Sequence, residues 1–209
     1  MSDMNGTKSK FIANFAKKNN LSYLIFDFRG HGNSSGDFIN YGIIDWVLDL
    51  KKITTFLKIP KFILIGSSMG GWVAMYFALN HPKRVEKLIG ISPAPDFTEN
   101  LIMKELNKIQ RDKINNNIVI KKKVSNNFYY YYSPKLFINS STALICKIKK
   151  KFNNEVVFFH GGKDNIVPYD YNNIFIKKLN FSNLKIIIIK HADHSMSDNE
   201  SLKTIVKSI

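Results

Sequence analysis

Five apolar runs in the chain are nearly continuous: SYLIFDF at 22–28, KFILIG at 61–66, EKLIGIS at 86–92, EVVFFHG at 155–161 and LKIIIIK at 184–190. Strands read this way when both faces of a parallel sheet are covered. Between the runs, apolar positions recur at helical spacing. Phe11 with Phe15 and Ile12 with Ala16 predict a helix over 7–18. Ile43, Val47, Leu50, Thr54 and Leu57 predict a second, ending near Pro60. Trp72, Met75, Tyr76 and Leu79 mark a third, stopped at His81-Pro82, and DNESLKTIVKSI closes the chain as another. The alternation predicts an α/β fold, a mainly parallel sheet with helices on both faces.

The rhythm breaks over 96–152. Ile102, Leu106 and Ile109 predict one helix there, followed by a polar Asn/Lys stretch and then by NNFYYYYSPKLF. We read this region as a small helical cap or lid inserted into a single domain spanning 1–209. The Asn/Lys patches at 113–127 and 147–154 read as surface loops. The tyrosines at 129–132 fit two roles, packing of the insertion against the body or lining of an apolar acyl pocket.

Composition narrows the function. With 209 residues, 44% of them hydrophobic and 13% aromatic, the chain suits one domain with a sizeable core. The net charge of +15 raises nucleic acid as a partner. Almost all of that charge is lysine, however, and the arginines are only Arg29, Arg84 and Arg111. Base and phosphate readers lean on the bidentate arginine fork. The lysines are also scattered among many Ile and Asn residues, so a solvated surface without nucleic acid is the expectation. Cys146 is the single cysteine, which forbids an intramolecular disulfide and points to a reducing, cytoplasmic compartment, or a mitochondrion if the source is eukaryotic. It lacks a ligand-spaced partner and reads as a buried bystander. No apolar run approaches a membrane span, and the N-terminus lacks the apolar core and cleavage site of a secretory signal.

The chemistry centres on Gly66-Ser67-Ser68-Met69-Gly70, a G-x-S-x-G match between a buried strand and an amphipathic helix. A serine on so tight a turn projects its Oγ above the strand end, with Gly66 and Gly70 removing Cβ clashes. The Met69 N–H, at the helix start, can face a developing oxyanion. A phosphate loop ranks last among the readings, because G-x-x-x-x-G-K-[ST] is absent and no Lys follows Gly70-Gly71. Ser68 needs a base, and the base needs an orienting carboxylate. His81 belongs to a helix stop, His31 and His160 lie in other loops, and His191 follows the last strand too closely. His194 lies on the loop after that strand and is the candidate base. Asp164, in the turn GGKDNIVP, is the candidate acid, with Asp193 as its competitor. Ser68, Asp164, His194 is the expected chain order for this triad.

These segments resemble the α/β-hydrolase family along nearly the whole chain: DFRGHGNSSG is similar to the loop after its fourth strand, GSSMGGW to its nucleophile elbow, HGGKDNIVP to its acid loop and HADHSM to its histidine loop. Within the family, SDMNGTK, GSSMGGW, GGKDNIVPY and HADHSM resemble the palmitoyl-protein thioesterases that also cleave acyl glucuronides, and their bacterial relatives. The resemblance implies hydrolysis of small-molecule or protein-linked acyl esters or thioesters with no metal and no cofactor, Ser68 being nucleophile, Asp164 acid and His194 base. It also implies a departure at the front. Family members open with three strands and a His-Gly-type segment that completes the oxyanion hole, and MSDMNGTK is similar to the residues immediately after that segment. The expectation is therefore a sheet lacking its first three strands, one of which lies between SYLIFDF and KFILIG in the family, and an oxyanion hole with one of its two donors.

Overall fold

The order of parallel strands decides which loops can meet. The structure, a computed structural model, describes residues 3–125, 128–176 and 179–209. Helix α1 (Thr7–Lys18) and α2 (Ile43–Phe56) precede strand β1 (Phe62–Ser67), followed by α3 (Met69–Asn80) and β2 (Val85–Ile91). After α4 (Met103–Glu105), α5 (Lys108–Asn115), β3 (Ile120–Ser125), β4 (Phe128–Tyr132) and α6 (Pro134–Ser141) come β5 (Phe152–Gly161), α7 (Tyr169–Ile176), β6 (Phe181–Ile189) and α8 (Asn199–Val206). The main sheet runs β1-β2-β5-β6 and every pair in it is parallel.

Side chains alternate across this sheet and fill two cores. Leu88, Val156 and Phe158 face one side, where they meet Trp46 and Val47 of α2 and Trp72, Met75 and Phe77 of α3. Ile89, Ile91, Val157 and Phe159 face the other side with Ile205 of α8. Burial on both faces explains the near-continuous apolar runs of β2 and β5. Register then fixes the geometry of the rim. Ser67 pairs with Ile91, Ile91 with Phe159, and Gly161 with Ile189. The loops after β1, β5 and β6 thus leave the sheet along a single edge, the carboxyl edge where parallel sheets hold ligands.

Three expectations need correction. The run at 22–28 belongs to no strand ladder. A strand exists only through a neighbour that takes its N–H and C=O groups, and no described segment pairs with it in a ladder. Phe26 and Phe28 still pack on the core, whereas Leu21, Tyr23, Leu24 and Ile25 stand exposed. β1 is correspondingly an edge strand, paired with β2 alone among the described residues. Second, the region 96–152 is not purely helical. Its predicted helix is interrupted at Leu106, between α4 and α5, and the supposed surface loop at 120–125 is a strand, β3, of an antiparallel hairpin with β4. Tyr130 and Tyr132 turn into a small core with Ile102, Leu106, Ile114, Ile120 and Phe137, which supports the packing role. On the other face Lys121 Nζ lies 4.1 Å from the Tyr129 ring centre and 5.6 Å from that of Tyr131. Third, Cys146 is exposed, because its 3₁₀ turn (Ile145–Lys147) turns Ile145 inward instead.

Candidate active site

Ser68 sits at the N-cap of α3 with φ 52° and ψ −121°, a left-handed conformation that side chains other than glycine rarely hold. Two flanking glycines permit it. A Cβ on Gly66 would lie 2.3 Å from the Gly70 carbonyl oxygen, and one on Gly71 would lie 2.7 Å from Pro93 Cβ. Gly70, in contrast, has nothing within 4 Å of its Cβ position, so the sterically required pair is Gly66 and Gly71. Gly66→Ala is expected to cost roughly 3 kcal/mol or more by forcing backbone apart. Gly70→Ala removes a helix glycine at no steric cost and should be neutral or stabilising by up to about 1 kcal/mol. Denaturant melts of the two variants check the contrast.

The turn is held by backbone bonds to its neighbour. Ser68 N–H donates to the Ile91 carbonyl at 2.9 Å, and Ala94 N–H donates to the Ser68 carbonyl at 3.1 Å. Met69 is the first residue of α3, and helix geometry leaves its N–H without an intrahelical acceptor.

From the rim opposite, two loops converge on the serine. His194 Nε2 lies 2.9 Å from Ser68 Oγ, and His194 Nδ1 lies 2.8 Å from Asp164 Oδ2. These partners assign the tautomer: Nδ1–H donates to the carboxylate and Nε2 accepts from the serine hydroxyl. The other oxygen, Asp164 Oδ1, accepts from the Ile166 N–H at 3.0 Å and the Val167 N–H at 2.8 Å. Burial is the largest influence on this carboxyl and pushes its pKa up. The hydrogen bonds from His194, Val167 and Ile166 and the electrostatic attraction of His194 together outweigh it, holding Asp164 below the ordinary carboxylate range. An imidazole bridging a hydroxyl and an ionised carboxylate can take the hydroxyl proton and be stabilised as the cation that forms.

The two loops lie in direct contact because Gly161 and Gly162 allow it. A Cβ on Gly161 would lie 2.5 Å from the Asp193 carbonyl oxygen, and one on Gly162 would lie 2.5 Å from that of Lys190. Lys163 N–H donates to the Ala192 carbonyl at 2.9 Å, closing the same contact. The competitor carboxylate, Asp193, is engaged elsewhere: its Oδ1 accepts from the N–H groups of Ser195 and Met196 and from Ser195 Oγ. It shapes the histidine loop. His31 is caged by Phe28, Phe38 and Trp46, His81 lies tilted against Phe77, and His191 reaches Asp198 at the surface. None of the three reaches the serine. Asp96, which no sequence motif marks, is fully buried just beyond β2 and accepts from the N–H groups of Ile145 and Cys146. Burial pushes its pKa up more strongly than those bonds pull it down. It fastens the end of the inserted region beside the elbow, a role that depends on a contact between residues some fifty apart.

A family model described as the alpha/beta hydrolase fold matches residues 6–116, more than half of the chain. The chain belongs to the α/β hydrolase fold family. Its relatives include the rat protein named palmitoyl-protein thioesterase ABHD10, mitochondrial, 28% identical over 211 residues that take in 100% of this chain and 71% of that protein. The human protein of the same name is 27% identical, with 100% and 69% covered. Among solved structures, a putative hydrolase from Agrobacterium vitis S4 superposes with a TM-score of 0.92 at 26% identity, over 99% of this chain and 82% of that one. The mouse alpha/beta hydrolase domain-containing protein 10 gives 0.87 at 23% identity over 99% and 83%, a likeness of fold. Among the described residues of this family member, no helix is long and apolar enough to cross a membrane.

Proposed function

We propose that this α/β hydrolase cleaves carboxylic acyl esters or thioesters through an acyl-enzyme, with Ser68 as nucleophile, His194 as base and Asp164 as its orienting acid. The observation that carries the reading is the unbroken hydrogen-bond chain from Ser68 Oγ through His194 to Asp164 Oδ2. The thioesterase name of the relatives supports the substrate class. In the first half-reaction His194 Nε2 takes the serine proton as Oγ attacks the acyl carbon. The tetrahedral oxyanion faces the Met69 N–H, and the imidazolium returns the proton to the departing alkoxide or thiolate. In the second half, water gives a proton to the same nitrogen as its oxygen attacks the acyl carbon; the C–Oγ bond then breaks, the imidazolium returns the proton to Ser68 Oγ, and the carboxylic acid is released. No step calls for a metal or a cofactor. The region 96–152 serves in this reading as a cap tied to the body, in part by Trp72 Nε1–H donating to the Ala143 carbonyl at 2.9 Å.

The test is covalent labelling by a fluorophosphonate probe, expected in the parent chain and absent in Ser68→Ala. A parent that stays unlabelled while remaining folded would remove the proposal. A second reading, a hydrolase-like protein that holds acyl ligands without turning them over, is favoured by one feature, the strand-like run at 22–28 that joins no ladder while β1 pairs with β2 alone among the described residues. Binding of a palmitoyl analogue without release of acid would select it.

A further inference from the structure

His160 lies at the end of β5, is 2% exposed, and has no place in the proposed chemistry. Its Nε2 lies 2.9 Å from the Val167 carbonyl oxygen, an acceptor, so that nitrogen carries a proton. The same nitrogen is 3.9 Å from Asp164 Oδ2, too far for a hydrogen bond and therefore no rival to His194 at 2.8 Å. The ring also stands edge-on to Tyr169, 5.8 Å between centres. His160 thus bridges the acid loop from its first residue to Val167, the last but one. Val167, whose carbonyl it holds, is the residue whose N–H donates to Asp164 Oδ1. That carbonyl and that N–H belong to the two peptide groups flanking the Val167 Cα, so His160 and Asp164 hold the same residue from either side.

Resting on the triad reading above, we propose that His160 is a positioning residue for Asp164: its Nε2–H closes the acid loop through the Val167 carbonyl, keeps the Ile166 and Val167 N–H groups on Oδ1, and so leaves Oδ2 aimed at His194. Burial, its dominant influence, lowers the pKa of His160 despite the nearby Asp164 carboxylate, so the ring keeps the single-proton form that this arrangement uses. Hydrogen bonds that orient a catalytic group are felt at the reacting centre because small misplacements there are costly.

The experiment compares His160→Phe, His160→Gln and His160→Asn with the parent. Phenylalanine keeps a ring but no donor. Glutamine places an N–H near the Nε2 position, and asparagine falls short of it. The expected result is a fall in kcat of roughly tenfold to a hundredfold for Phe and Asn with KM unchanged, and recovery to within a few-fold in Gln. The low-field NMR proton of the His194 Nδ1–H to Asp164 bond should be lost or displaced in Phe and Asn and retained in Gln. If Phe fails to fold, the Gln and Asn pair decides alone. Gln no better than Asn in both readouts, or an unmoved low-field proton in Phe or Asn, overturns the proposal. Ser68→Ala separates it from the function: turnover surviving in that variant would sink the triad chemistry, while the NMR comparison would still judge His160.

Discussion

Substituting Ser68 by alanine is expected to lower ester turnover by roughly 10⁴- to 10⁶-fold, and His194→Ala should do nearly as much. The reason lies in the division of labour along the hydrogen-bond chain. In the proposed chemistry no acyl-enzyme forms without Oγ, and without the imidazole the hydroxyl, 2.9 Å away, has no acceptor for its proton. The effects are therefore not additive. The double variant Ser68→Ala/His194→Ala should retain the same small residual rate as the worse single variant, because each removal disables one unit. Both single changes lie at the rim, Ser68 part-buried and the His194 side chain 16% exposed, so thermal stability should move little. Initial rates on a short-chain p-nitrophenyl ester, with melts run alongside, check all three variants. Additive losses, or a melt that collapses with the rate, would break the unit.

Much of this site was legible because each component follows a strand that is apolar on both faces. FILIGS, EVVFFHG and LKIIIIK are recognisable without knowing their partners, and parallel order then brings their following loops to one edge. The helices over Thr7–Lys18, Ile43–Phe56 and Met69–Asn80 follow from apolar spacing alone. The features that failed to read were pairwise. SYLIFDF has strand composition, yet local composition cannot report whether a neighbour lies beside it. The hairpin of β3 and β4 hid behind Lys121-Lys122-Lys123, a charged run that masks the alternation carried by Ile120, Tyr130 and Tyr132. α7, unread in the sequence, buries Tyr171 and Phe175 against Ala94 and Val167, contacts that only the folded rim creates. His160 was one loop histidine among several until its bond to Val167 was visible.

The unladdered segment carries the second large expectation, salt-promoted self-association. Leu21 is 46% exposed, Leu24 39%, Tyr23 38% and Ile25 36%, and Phe56 nearby on α2 is 83% exposed. β1 in turn offers an edge row of backbone groups with no ladder among the described residues. Unpaired edges of this kind template pairing with a second chain. Against it stands a net charge of +15, which repels a second copy. Screening decides between them: at about 0.15 M salt the Debye length is near 8 Å, and it shortens to about 3 Å at 1 M. Association should therefore strengthen as salt rises. Binding driven by phosphate contacts to nucleic acid would weaken under the same change, so the sign of the salt effect separates the two roles of the positive surface. Leu24→Lys adds charge at the exposed stretch and removes a side chain whose burial is worth about 1.5–3 kcal/mol, so it should weaken association by about tenfold or more. Because Leu24 is already open to solvent, its replacement should leave the melting midpoint of the monomer nearly unchanged. Sedimentation velocity across a salt series reads both effects. A chain monomeric at every salt, or a Leu24→Lys variant that associates as strongly as the parent, would show that the exposed stretch is not the adhesive surface.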